Sequence, residues 1–233
     1  MAGIRLPLGR EDFAAALGAC SEKYWDKHPY HDRLHSGGLD DAELRRWIAN
    51  RWYYQKRLPQ KDAAIIANCP EADVRRRWLQ RIVYQDGTRA GDGGLEAWLA
   101  LATAAGMSRS EVLDERYVVG GARLATDAYV SFALTRPWTE AVAASLTELF
   151  SPALMSTRLS ALRDHYPWID SSGHAYFIKR IGAATKDAAH AREVVLTHCT
   201  TRDQQDAALD ALTFKCDLLW SMLDAIEHAG PVG

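Results

Sequence analysis

The sequence is poor in the features that usually announce a class. Its four cysteines, Cys20, Cys69, Cys199 and Cys216, are scattered and form no Cys-x-x-Cys pair. Reduced thiols in the cytoplasm are the expected state. No apolar run is long enough for a membrane span or a signal-peptide core, the start Met1-Ala2-Gly3-Ile4-Arg5 included, so no membrane role is expected. Charge of one sign is also missing. A formal net charge of -2 gives no general attraction to nucleic acid or to an anionic surface. There is no Gly-x-Gly-x-x-Gly or phosphate loop, no internal repeat and no low-complexity tract. Gly91-Asp92-Gly93-Gly94 is too short and too acidic to cradle a phosphate.

Alternation of the kind that marks strands is absent throughout, and helical spacing fills the chain instead. Phe13, Leu17, Cys20 and Tyr24 predict a helix from about Glu11 to Lys27, ending before Pro29. Asp40-x-x-Glu43 reads as a capping box for the next helix, which Pro59 is expected to kink or divide. Pro70 suits the first position of a helix that runs to Gly87. Leu95, Trp98, Leu99 and Ala102 mark a helix closed by Gly106, and Ser108-x-x-Glu111 caps a shorter one. Further helices are predicted from Gly120 to near Pro137, over Trp138–Phe150, after Ser151-Pro152, around Tyr176–Ile181 and around Asp187–Cys199. Thr201-x-x-Gln204 caps the last, whose stripe is Leu209, Leu212, Cys216, Leu219, Leu223 and Ile226. The expected fold is all-α, one domain over 1–233 built as a bundle of about seven to eight helices.

What the chain does contain is charge in the wrong places. Leu44, Trp47 and Ile48 begin an inward stripe, and continuing it by three and four gives Arg51, Gln55, Leu58 and Asp62. A charge turned toward a core is costly unless paired or bound to something charged. For one helix, an internal ion pair such as Arg51 with Asp62 would be the simpler explanation. Yet Arg81 and Gln85 repeat the pattern after Val74 and Trp78. Arg158, Arg180, Lys61 and Lys215 add cations on apolar stripes, against only Glu148 and Asp62 as inward carboxylates. Tyr24, Tyr129, Thr147 and Tyr176 add hydroxyls, and the chain carries eight Trp and nine Tyr, more than packing requires. Inward cations from several helices among aromatic walls predict a cavity for a planar anionic ligand.

A metal centre is not expected. Di-iron bundles need Glu-x-x-His pairs, and the chain offers only Asp32-x-x-His35 and Asp187-x-x-His190. His28, His31 and His35 surround Pro29, which disrupts the register that ligation would need, and read as surface or supporting histidines.

Five stretches resemble the pyrroloquinoline-quinone synthase family. They are Asn50-Arg51-Trp52-Tyr53-Tyr54-Gln55; Pro59-x-Lys61-Asp62-Ala63-Ala64; Asp86-Gly87 with Gly91-Asp92-Gly93-Gly94; Ser145 through Pro152; and Phe214 through Trp220. The similarity runs from about Phe13 to Ala225. It implies a haem-oxygenase-like fold, usually a homodimer, that uses neither metal nor organic cofactor. The implied reaction closes a ring and oxidises a tricarboxylic quinone-like precursor with O2, giving pyrroloquinoline quinone and releasing H2O2. By position, Arg51, Gln55, Lys61, Arg81, Arg158 and Lys215 would grip carboxylates and carbonyls. Tyr24, Tyr129, Thr147 and Glu148 would line the pocket and help move protons, and Tyr176 and Arg180 would sit by the oxygen.

The chain departs from that family in three places. Trp25 stands where a histidine follows the first tyrosine, narrowing the pocket. Tyr84-Gln85-Asp86-Gly87 replaces Asp-His-Asp-Gly, and Gln85 cannot accept and return a proton near neutral pH. Met155 replaces a histidine found in part of the family. The expected function is the synthase reaction; the alternative is a diverged paralogue, or a binder of a related quinone, with reduced or redirected turnover.

Overall fold

The helix around Arg51 begins as its sequence dictates. Asp40 accepts a hydrogen bond from the Glu43 N–H at 2.8 Å, and the Glu43 carboxylate accepts one from the Asp40 N–H at 2.9 Å. The resulting helix runs Asp41–Asn68 with Pro59 inside it. Pro59 therefore does not divide it. The ring removes one N–H, the one that would reach the Gln55 carbonyl, while Leu44, Trp47, Ile48, Ala64 and Ile65 on either side are buried and hold the axis.

The computed structural model describes residues 5–229, apart from the side chains of residues 183–185. In order the α-helices are α1 (Arg10–Ala19), α2 (Pro29–His35), α3 (Asp41–Asn68), α4 (Ala72–Asp86), α5 (Gly93–Ala104) and α6 (Arg109–Leu113). They continue with α7 (Gly120–Thr135), α8 (Trp138–Ala144), α9 (Ser151–His165), α10 (Ala175–His198) and α11 (Arg202–Glu227). Short 3-10 turns occupy Cys20–Lys23, Trp25–Lys27, Ser145–Leu149 and Ser171–His174. Among the described residues there is no strand, so the all-α class holds. The helix number exceeds seven to eight: α6 and α8 stand where the cap and the spacing predict helices, and α2 adds one in the segment around Pro29 where none is expected.

Other boundaries are corrected. The first helix ends at Ala19 and continues only as 3-10 turns. Pro70 lies before α4, whose N-cap is Glu71. Trp138–Phe150 is α8 followed by a 3-10 turn, which alters the direction in which Thr147 and Glu148 project. The two helices expected around Tyr176 and Asp187 are one, α10.

Helix α3 packs against α7 and α4, α11 against α7 and α8, and α10 against α9 and the Ser145–Leu149 turn. The α11 stripe is buried at Leu212, Cys216, Leu219, Leu223 and Ile226, each worth about 1.5–3 kcal/mol of transfer free energy when the side chain is a full aliphatic one. Thr201 and Gln204 cap α11 reciprocally, as do Ser108 and Glu111 for α6. Among the described residues no helix is long and apolar enough to cross a membrane.

Candidate active site

A cavity opens where α3, α7, α9, α10 and α11 approach the Ser145–Leu149 turn. It is tight, with about 60 Å³ of room for water-sized spheres. Helix α3 supplies Arg51, Gln55 and Lys61 to its wall; α7 supplies Tyr129; the turn supplies Thr147 and Glu148; α10 supplies Tyr176 and Arg180. Tyr24 and Trp25 close the side nearest α1. The remaining sequence candidates, Arg81, Gln85, Arg158 and Lys215, are buried but stand behind this wall. Sequence reasoning missed Tyr54, Leu58, Ser145, Ser151 and Leu219 as lining residues. Tyr54 follows Arg51 by three residues, a usable signal, whereas Leu219 is indistinguishable from the rest of the α11 core stripe. Met155, noted only as a replaced histidine, also faces the cavity.

The inward cations fall into two groups. Three have carboxylate partners. Lys61 Nζ donates to Asp62 at 2.5 Å and to Ser145 Oγ at 3.2 Å, and Asp62 also accepts from the Trp78 indole at 2.8 Å. Ser145 donates to the Ala141 carbonyl at 3.2 Å, so it accepts from Tyr129, 3.1 Å away. Arg81 and Arg180 share Glu148, the Arg180 contact being 3.1 Å. Arg180 also reaches Asp187 at 3.0 Å, and Arg81 donates to the Asp187 carbonyl at 2.6 Å. Burial alone would raise the Glu148 carboxyl, but Arg81, Arg180 and Lys61 outweigh it and hold it below the ordinary value. Asp187 goes the other way, raised by burial and by the Glu148 charge.

Arg51, Arg158 and Lys215 form the second group, with no carboxylate partner among the described residues. Arg51 is 4% exposed, and its Nε and Nη1 have no hydrogen-bond partner. Its guanidinium lies over Tyr54 at 4.3 Å and Trp25 at 4.7 Å. Arg158 lies over Trp25 at 5.1 Å and is pushed down to about 9 by burial and by the Arg51 charge. Lys215 Nζ sits 3.6 Å from the Tyr129 ring centre, and burial, Arg51 and Lys61 hold its ammonium well below the ordinary lysine value. The ion pair of Arg51 with Asp62 does not form; Asp62 belongs to Lys61 and Trp78. Cation–π contacts of about 0.5–2 kcal/mol soften the burial of these charges but do not offset a cost of several kcal/mol per ion. The deficit is what an anionic ligand would relieve.

Gln85 ends α4, where Gly87 (φ 78°) turns the chain and Gly93 (φ 90°) comes back against it. A Cβ on Gly93 would lie 2.5 Å from the Gly87 nitrogen. Gln85 Nε2 donates to Gln55 Oε1 at 2.9 Å, and its own Oε1 is buried without a partner. Gln85 thus reaches the cavity only through Gln55.

Of the three histidines around Pro29, two lie in the interior and His35 is half-buried. His28 and His31 are buried; Pro29 starts α2 with His28 as its N-cap, so the proline sets the register and does not disrupt it. His31 and His35 stack one turn apart at 5.6 Å. Among the described residues no group of three or more His, Cys, Asp or Glu is disposed to hold a metal. Burial and nearby arginines push His35 and His190 down to about 4, and His31 well below its usual value of 6.5. A depressed folded pKa means that the unfolded chain binds more protons below 6.5, so stability is full above that pH and is lost as pH falls toward the folded values. Melting temperature is expected to hold above about pH 6.5 and fall steadily to about pH 5, where ordinary carboxylates remain ionised in both states. A flat thermal-melt profile across that window would refute this.

The bundle is of the kind described as heme oxygenase-like: a domain from Shewanella denitrificans OS217 with that fold superposes with TM-score 0.72 at 13% identity, covering 93% of this chain and 89% of that one. A TenA homologue from P. horikoshii OT3 superposes with TM-score 0.75 at 12% identity, over 94% and 99% of the two chains. The chain belongs to the TENA/THI-4/PQQC family, whose model matches residues 15–225. Proteins named pyrroloquinoline-quinone synthase are 46% identical to it, in Pseudomonas putida W619 over 96% of this chain and 89% of that one. The corresponding shares are 95% and 88% in Klebsiella pneumoniae MGH 78578, and 97% and 90% in Pseudomonas aeruginosa LESB58.

Proposed function

We propose that the chain is a pyrroloquinoline-quinone synthase, an oxidase that closes a ring and oxidises a tricarboxylic precursor with O2 as acceptor. Each two-electron oxidation takes two hydrogens from the substrate and reduces one O2 to H2O2. The observation that carries this reading is the second group of cations: Arg51 lines an aromatic-walled cavity, Arg158 and Lys215 stand directly behind its Trp25 and Tyr129 walls, and none of the three has a carboxylate partner among the described residues. The 46% identity to named synthases over nearly the whole chain supports it and does not favour a diverged paralogue.

In this reading the unpaired cations take the substrate carboxylates, with Gln55, Lys61 and Thr147 completing the grip around them. Glu148, kept ionised by its two arginines, works by fixing Arg81 and Arg180 more than by carrying a proton. Tyr176 and Arg180 share one face of α10 and supply a phenol and a charge to the reduced oxygen species. Tyr24 and Tyr129 offer further hydroxyls. We read the protein as one helical domain, cytoplasmic on the strength of its four free cysteines, and as a homodimer using O2 without metal or organic cofactor, as the family resemblance implies. Because the cavity is tight, a tricyclic ligand enters only as side chains such as Trp25 and Tyr54 move apart.

Mixing the enzyme with the reduced tricarboxylic precursor under single-turnover conditions should give oxygen uptake, peroxide release and the absorbance of the finished quinone. Binding of that quinone with no oxygen uptake from the precursor would sink the synthase reading.

A further inference from the structure

His31 is the most completely buried of the histidines, at 0% exposure on α2, and it joins the cavity wall at Trp25 to Arg158 behind it. Its Nδ1 lies 2.7 Å from the Trp25 carbonyl oxygen, and its Nε2 lies 2.7 Å from Arg158 Nη2. A carbonyl oxygen only accepts and a guanidinium only donates. The two partners therefore fix the tautomer: Nδ1 carries the proton and Nε2 is a bare acceptor. The His35 ring stacked at 5.6 Å and the Trp25 indole edge-on at 5.1 Å fix the plane of the imidazole.

We propose that His31 is a positioning residue that holds Arg158 and the Trp25 wall in place for an anionic ligand while leaving the Arg158 charge uncancelled. The contrast with the first group of cations gives the reason. Lys61, Arg81 and Arg180 are held by carboxylates, which fix geometry and neutralise charge together. Arg158 is held by a neutral nitrogen, which fixes geometry alone. The same imidazole anchors the backbone of Trp25, whose ring is flanked by both Arg158 and Arg51. Protonation of Nε2 would break the Arg158 bond and add a like charge beside it. The groups facing His31 resist that proton: Arg158 from α9, Arg51 from α3, and His35 on its own helix. Asp32, also on α2, acts on His35.

This inference rests on the cavity being a quinone-carboxylate site, and the test separates the two. Binding of pyrroloquinoline quinone is measured by titration for wild type, His31→Leu, His31→Gln and His31→Asp, each with a thermal melt. Loss of the acceptor in His31→Leu should weaken binding about 10–100-fold. His31→Gln, which can present a neutral oxygen, should recover to within about threefold of wild type. His31→Asp would hold Arg158 but cancel its charge, and should bind at least as weakly as His31→Leu. Wild-type affinity in His31→Leu or in His31→Asp would overturn the inference while leaving the synthase reading intact; failure of wild type itself to bind the quinone would overturn that reading and with it this inference. Should the variants not fold, ring-nitrogen NMR of unliganded wild type at about pH 6 decides: the neutral Nδ1–H tautomer supports the inference, and an Nε2–H or doubly protonated ring overturns it.

Discussion

An Arg51→Met variant is expected to melt higher than wild type while binding the quinone at least about thirtyfold more weakly. The two effects have opposite signs because they come from one buried charge. Among the described residues Arg51, 4% exposed, has no carboxylate partner, and its Nε and Nη1 make no hydrogen bond. Replacing an uncompensated buried ion by an apolar side chain of similar length is worth about 1–4 kcal/mol to the folded state. In a chain of this size that corresponds to an increase of roughly 2–4 °C for each kcal/mol. Methionine keeps contact with Tyr54 and Trp25 through its thioether, so little packing is lost. The like-charge strain on Arg158 and Lys215 falls as well, since Arg51 contributes to lowering both. Against the ligand, loss of one desolvated charge partner costs about 2–5 kcal/mol, or roughly 30–4,000-fold in affinity. A variant that both melts lower and binds normally would mean that Arg51 is a structural residue with a partner not yet identified.

Arg51 also marks how far the sequence was readable. Its place on the stripe after Leu44 and Ile48 gave its burial, and the repeat at Arg81 and Gln85 gave the conclusion that charge converges inside. Helical spacing reports the face a side chain takes, but not which neighbour lies across from it. Arg81 faces inward as expected, yet its guanidinium is turned into Glu148 and the Asp187 carbonyl and stops short of the cavity wall. Lys215 is likewise inward and stops behind Tyr129. Asp187 itself was out of reach of the sequence argument because separate helices are expected around Tyr176 and around Asp187. In the continuous α10 it lies seven residues beyond Arg180, two turns along the same face, and completes the clasp with Glu148. His31 was set aside because Pro29 looked disruptive, although a proline at the first turn of a helix is where its missing N–H costs nothing. The fold was legible from caps and stripes; the pairings depended on contacts between residues far apart in the chain.

The altered end of α4 carries the other large expected effect. Gln85→His should raise the single-turnover rate of quinone formation by about 10²-fold or more, with little change in affinity for the finished quinone. Gln85 touches the cavity only through Gln55, so an imidazole there would not displace a gripping residue. An imidazole could keep the donor bond that Gln85 Nε2 now makes to Gln55 Oε1 and place its second nitrogen where Gln85 Oε1 is buried without a partner. Gly94 leaves room on that side, since any Cβ there would already collide with the Gln85 oxygen. An amide has no proton to exchange near neutral pH, whereas an imidazole does, and a positioned general base contributes about 10²–10⁴ in rate. The gain should come with a new pH dependence of the rate, rising as the introduced ring loses its proton. An unchanged rate would show that Tyr176 or another group of the wall already moves the proton. A slower rate with intact quinone binding would show that this chain has built its chemistry around the Gln85–Gln55 pair, making the glutamine a required part of the site.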